Sequence, residues 1–369
     1  MDRCRFAAQK SGAESDYYGG LTPAYSNRNG VPLSLDELLL VRDVNRNMLY
    51  GNDLNYDFYT DAQENEILSE EDSSESISED SIFPWTWLLT VHSAERNENT
   101  SGEPLINLNE TDLQSLHQQL SEKLSDNWAN YIVAYRQLGP AAETRDAALY
   151  STGQPAGTMT IDFSKPAVFP INQLLELVGT TVKLIPVGGE AEVVYQSPLS
   201  ATSENLAEEL IGLFENCTVD PEKVIIGRIN LNLAPAQILM AIPGMDETTV
   251  EAILNGRENQ SSIDGETLNY PIWPLLEELV SLEKMEELLP YLTCGGDVYQ
   301  AQIVGFYDQN GPFARAEVTI DGTQRSPRVV KWTDLRLQGQ PFQLEFLGAQ
   351  IDDLSSSSSN PAGEAGPAP

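Results

Sequence analysis

Histidine, cysteine and positive charge are scarce in this chain. Two histidines, His92 and His117, lie far apart in 369 residues. They supply little material for a zinc site or a histidine-based triad. The three cysteines, Cys4, Cys217 and Cys294, are isolated and odd in number, which gives neither a disulfide framework nor a metal knuckle. Lysine and arginine total 21 against 56 carboxylates, a net charge of −35. Such a field repels phosphate backbones and anionic headgroups, so nucleic acid and membrane surfaces are poor partners. No run approaches the roughly 20 apolar residues of a membrane helix, and no n-region and h-region mark a signal peptide. A Gly-x-Ser-x-Gly elbow, a phosphate loop, a dinucleotide fingerprint and a His-Glu-x-x-His helix are all missing, which points away from an enzyme.

What is present is most readable from Ile229 to Arg257. Ile229, Leu231 and Leu233 alternate with Asn230 and Asn232, an extended pattern. Pro235 stands where a helix can begin, and Ile238, Leu239 and Ile242 follow at helical spacing. Pro243-Gly244 makes a tight turn. Asp246 then caps a helix whose buried face is Val250, Ile253 and Leu254, with Gly256 expected to end it. The pattern is a helix–hairpin–helix of the SAM-like kind. A DNA-gripping version needs bare backbone N–H groups and nearby cations. Here Asp246 and Glu247 follow the turn, so a nucleic-acid-binding hairpin protein is the weaker alternative and a packing or protein-contact unit the preferred one.

A partial repeat precedes it. Ile106-Asn107-Leu108-Asn109 matches Ile229 to Asn232, Gln114 and Leu116 match Gln237 and Leu239, and Ile132 and Arg136 match Ile253 and Arg257 after a two-residue shift. The first copy has no Pro-Gly turn, so its hairpin closes differently. Such units are expected to pack against each other.

The span from Asn52 to Ile82 carries eleven carboxylates and no Lys or Arg. Asp53, Asn55, Asp57, Tyr59, Asp61 and Glu64 take positions one, three, five, seven, nine and twelve of a calcium loop. Phe58 occupies the sixth position, where that loop needs glycine. Two readings stand, a calcium site and a solvated acidic loop; the first would make this a calcium-dependent binding protein.

The expected fold class is α+β, a helical SAM-like region combined with a small antiparallel sheet. Residues 1–51 read as the remnant of a first helical unit, with a capping box of Ser34 and Glu37 and an apolar face of Leu35, Leu38, Leu39 and Val41. Residues 52–82 form the acidic loop, and 83–104 supply a buried strand, Trp85 to Val91, that joins the sheet. The helical region runs over 105–290, with further helices at Ile171 to Val178 and Glu204 to Phe214 and an exposed loop at Ala141 to Phe163. Residues 291–345 carry strands at Val298 to Tyr307, Ala314 to Ile320 and Arg328 to Trp332, turning at Asn310-Gly311 and Asp321-Gly322. Residues 346–369 form a Ser/Pro/Gly tail. Trp85, Trp87, Trp273 and Trp332 are expected in cores, and Tyr17, Tyr18 and Tyr25 on a partner surface.

Taken in order, several of these segments resemble the K-type minor pseudopilin of type II secretion systems, general secretion pathway protein K. Ile229-Asn230-Leu231-Asn232 with Ala234-Pro235, then Ile242-Pro243-Gly244, is similar to the family's Ile-Asn-x-Asn-Thr-Ala-Pro and Leu-Pro-Gly hairpin. Tyr17-Tyr18, the segment Pro32 to Leu38 with Val41-Arg42, Asp297-Val298-Tyr299 and Ala314-Arg315-Ala316-Glu317-Val318 resemble further family segments. The resemblance implies a pilin-like sheet with a large helical insertion. It implies a structural role at the pseudopilus tip beside I- and J-type pseudopilins and secreted cargo, on the periplasmic side of the inner membrane. Family members can bind calcium, though no family ligand maps onto a residue here. The family's N-terminal membrane helix and prepilin cleavage site have no counterpart in these residues, and Leu233 stands where the family has threonine. A truncated chain is the expectation.

Overall fold

The computed structural model describes residues 13–26, 28–53, 55–57, 83–141, 154–185, 191–199, 205–258, 267–306 and 313–338. The chain divides into two compact units. The first comprises Met1–Val91, Gln300–Ile320 and Val329–Pro369, and the second His92–Tyr299 and Asp321–Arg328. Helices and small sheets occur together, an α+β protein.

The second unit holds the repeat. Ile106–Asn107 pairs in parallel with Cys217–Thr218, and Ile229–Asn230 pairs in parallel with Leu292–Thr293. Each two-residue strand is followed by a helical hairpin, Leu113–Lys123 with Asp126–Leu138 in the first copy and Ala236–Met240 with Glu247–Glu258 in the second. An amphipathic helix, Leu206–Asn216 or Leu282–Leu288, leads to the partner strand in each. The second hairpin helix is capped alike in both. Ser125 Oγ accepts from Trp128 N (3.4 Å), and Asp246 Oδ1 accepts from Thr249 N (2.9 Å). These two caps correspond under the two-residue shift read from the sequence. The shift arises because the first copy's leading helix is longer, and Leu124-Ser125 makes its turn where the second copy uses Pro243-Gly244. Gly244 there has φ +83, a conformation that costs glycine nothing.

One apolar cluster takes side chains from both copies. Leu116, Leu120, Trp128 and Ile132 from the first and Leu239, Ile253, Trp273 and Leu288 from the second are all buried in it. Neither hairpin has enough apolar surface to be stable alone, so joining them into one core is what makes the repeat fold.

Several expectations give way to other contacts. Gly256 does not end its helix, which runs on to Glu258. A Cβ there would stand 2.9 Å from the Trp273 ring and 3.0 Å from Leu279 Cδ1, so glycine admits the indole against the helix. Gly256→Ala is therefore expected to destabilise by about 1–3 kcal/mol through overpacking, despite alanine's better helix propensity, and a urea melt checks this. Ile171 to Val178 forms only a 3-10 turn, Leu174–Leu177, whose leucines are buried. The described part of the Ala141 to Phe163 loop is mostly exposed, as expected, but it is anchored at a few points. Gln154–Pro155 pairs with Tyr195 and Gln196, and Ala156 and Met159 are buried. The helix expected at Glu204 to Phe214 forms as Leu206–Asn216.

The segment Trp85 to Val91 is not a strand. Trp85–Leu88 is a short helix entered from Pro84, and both indoles are half-buried. The strand within 83–104 is Ala94–Arg96, which pairs antiparallel with Val224–Ile226 rather than joining the C-terminal sheet.

That sheet has three strands, Val298–Phe306, Phe313–Asp321 and Arg328–Asp334, in chain order. Connections of a few residues make it an antiparallel meander. The Asp321-Gly322 turn is closed by Asp321 Oδ1, which accepts from Thr323 N (2.9 Å). Asn310-Gly311 lies outside the described residues. Trp332 is 64% exposed on the edge strand and is no core residue.

In the first unit, Ser34 forms no side-chain cap and Leu35–Leu40 is a 3-10 helix with no buried residue. Glu37 instead pairs with Arg28 (2.9 Å) and accepts from Leu33 N. Tyr18 is buried between Tyr17 and Tyr25, with ring centroids 5.2 and 5.1 Å away, so this tyrosine is packing rather than a contact surface.

Candidate functional site

Two constellations singled out by the sequence can be placed. The first is the Asn-x-Asn segment with its distant arginine. Asn230 Oδ1 accepts from Asn232 N (2.9 Å), which folds the strand end into a turn, while its amide donates to Gly295 O (3.0 Å). Asn232 Nδ2 donates to Leu268 O (2.8 Å), and its Oδ1 accepts from Trp273 Nε1 (3.0 Å). Arg257, on the second hairpin helix, donates to Ala234 O (2.6 Å) and Leu231 O.

The first copy repeats three of these bonds, the Asn turn, the second Asn amide on a distant carbonyl and the arginine on the carbonyl between the two asparagines, and differs in the rest. Asn107 Oδ1 accepts from Asn109 N (2.9 Å), and Asn109 Nδ2 donates to Ile171 O (2.8 Å). Arg136 donates to Leu108 O, to Glu110 O (3.3 Å) and to Phe169 O (2.9 Å). The carbonyls that follow each Asn-x-Asn strand cannot join a sheet, because the chain turns into a helix there. The arginine of the returning helix satisfies them. Burial pulls both guanidinium groups below their ordinary value. These residues are structural clamps, and the chemistry they carry out is folding.

At the hairpin turn, Pro243 and Gly244 are exposed, and the Glu287 side chain lies so close over Gly244 that a Cβ there would collide with its Cδ. Lys284 bridges to Asp246 (3.2 Å) and to Gly244 O. Pro235 precedes Ala236–Met240 and gives it no side-chain cap. Hydrogen bonds from Thr248, then from Thr249 and Lys284, hold the Asp246 carboxyl well below the usual carboxylate range. A depressed carboxylate contributes stability above its unfolded pKa of about 3.9, and loses it as pH falls through the folded value. Asp246→Asn is therefore expected to remove part of the acid-induced loss of stability below about pH 4, measured as melting temperature against pH. The two carboxylates at this turn make it a poor receptor for phosphate.

The second constellation is the acidic loop. Asp53, Asn55 and Asp57 come together, whereas Tyr59, Asp61 and Glu64 lie outside the described residues. Asp53 and Asp57 are buried. Asp53 Oδ1 and Asn55 Oδ1 both accept from Asp57 N (3.1 and 2.9 Å), and Asp53 Oδ2 accepts from Trp87 Nε1 (2.8 Å). Asn55 Nδ2 donates to Asp57 Oδ2 (3.2 Å).

Two residues at this loop were not read from the sequence. Arg315, on the central strand of the sheet, is 1% exposed and donates to Asn55 O (2.7 Å), to Tyr56 O and to Gln302 Oε1 (2.7 Å). Gln302 in turn donates to Tyr56 O (2.6 Å). The alternation of Ala314 to Val318 puts Arg315 on one face with Glu317, but no local pattern reaches across the sequence separation of 260 to Asn55.

Compared with protein families, curated proteins and solved structures, the chain matches none.

Proposed function

We propose that this chain is a non-enzymatic structural subunit of a type II secretion pseudopilus tip, a K-type minor pseudopilin acting through protein contacts. The reading places it on the periplasmic side of the inner membrane, with I- and J-type pseudopilins as partners and secreted cargo as a further contact. The observation that carries it is the doubled Asn-x-Asn and arginine unit, built into one helical core and followed in the chain by a three-stranded meander. This order supports the resemblance of a SAM-like helical insertion within a pilin-like frame. A protein whose distinctive polar residues serve as internal clamps offers surfaces rather than a reaction centre. Among the described residues no helix is long and apolar enough to cross a membrane.

Mixing the purified chain with the soluble domains of an I-type and a J-type pseudopilin tests the reading. A ternary complex that co-elutes on size exclusion is the expected result. Three separate species at concentrations well above micromolar overturn it.

A further inference from the structure

Calcium is the metal that both the spacing of the 53–64 loop and the family resemblance suggest. The three of its six ligand positions that are described do not fit it. Calcium takes roughly six to eight oxygens, supplied by side chains that point at one empty centre. Here Asp53 and Asn55 accept from the Asp57 backbone, Asn55 donates to the Asp57 carboxylate, and the Trp87 indole donates to the second oxygen of Asp53. Two carbonyls of the loop, Asn55 O and Tyr56 O, are taken by a guanidinium. Burial lowers the pKa of Arg315, and the charges of Asp57, Asp53 and Glu317 act against that fall. Arg315 is thus within electrostatic reach of both loop carboxylates. A divalent ion placed among them would meet a fixed positive charge in a poorly solvated site, where like charges repel strongly.

We propose that the buried guanidinium of Arg315 is the resident cation of the Asp53–Asp57 loop, so that this part of the first unit holds together without calcium. Arginine suits the task. Its planar fork of donors reaches two successive carbonyls and the Gln302 side chain at once, and it keeps its charge when buried. The inference is independent of the secretion reading.

The test uses the full chain, followed by thermal melting and by the indole N–H resonance of Trp87, which reports the Asp53 contact. In the wild type, both are expected to be the same in millimolar CaCl2 and in EGTA. Arg315→Met is expected to shift the Trp87 resonance and to lower the melting temperature by about 5–10 °C, while the Trp128 and Trp273 resonances of the other unit stay in place. Arg315→Lys, which keeps a cation, should fall between the two. A wild-type melting temperature that rises with CaCl2, and loses that rise in Asp53→Asn, overturns the proposal. So does an Arg315→Met chain that melts as the wild type does with an unmoved Trp87 resonance. The calcium comparison on the wild type decides the matter even if Arg315→Met fails to fold.

Discussion

Arg136→Ala is expected to lower the unfolding free energy by about 3–5 kcal/mol. Arg136 is buried, and its guanidinium satisfies the carbonyls of Leu108, Glu110 and Phe169. Alanine leaves a cavity and strands those acceptors away from water, and each hydrogen bond from a charged donor is worth about 1.5–3 kcal/mol. Arg136→Lys should recover only a minor part, because a single ammonium cannot reach three acceptors that the planar fork spans. Urea unfolding followed by far-UV circular dichroism gives the comparison. A loss below about 0.5 kcal/mol for alanine, the size of an ordinary surface change, would show that the clamp is not what holds the first hairpin.

Trp273→Ala should cost about 3–5 kcal/mol, the usual range for removing a large aromatic from a core. Trp273 is fully buried, it packs against Gly256, and its indole N–H serves Asn232 Oδ1. Truncation therefore removes apolar burial and leaves a polar atom of the Asn-x-Asn turn unpartnered. Trp273→Phe keeps most of the apolar volume and loses the hydrogen bond. The difference between the two variants separates packing from the polar contact. Since both copies share one apolar cluster, loss in either is expected to appear as a shift of one transition rather than as a second one.

The elements that were legible in the sequence are those whose signal is local. The hairpin from Ala236 to Glu258, its Asp246 cap, the helix ending at Asn216 and the C-terminal meander rest on capping residues, tight-turn residues and periodicity within a few positions. The repeat was legible too, because its matched asparagines and arginines make matched bonds. Trp85 to Val91 failed for the opposite reason. Its apolar run has the composition of a strand, but Pro84 sets a helical entry and the Asp53 carboxylate takes the Trp87 N–H from 34 positions away. Ser34 failed because Glu37 pairs with Arg28 instead of completing the box. Gly256 looked like a stop signal, and only the indole packed on it shows why the residue is glycine.

For the acidic loop, the sequence determined a charge pattern and a spacing, and therefore a need for positive charge near Asp53 and Asp57. It could not determine what supplies that charge. A metal ion and a distant arginine can both bring positive charge to the same loop, and the arginine arrives on a strand 260 residues after Asn55. The hairpin divides the same way. Its Pro-Gly turn, its Asp246 cap and its apolar faces were fixed by neighbouring residues. The partners of Asn232 and Arg257, and the joining of both copies in one core, depend on which segments meet in space. Local conformation is set by sterics and hydrogen bonds within a few residues, whereas satisfaction of buried charge and polar groups is settled only when the whole chain has packed.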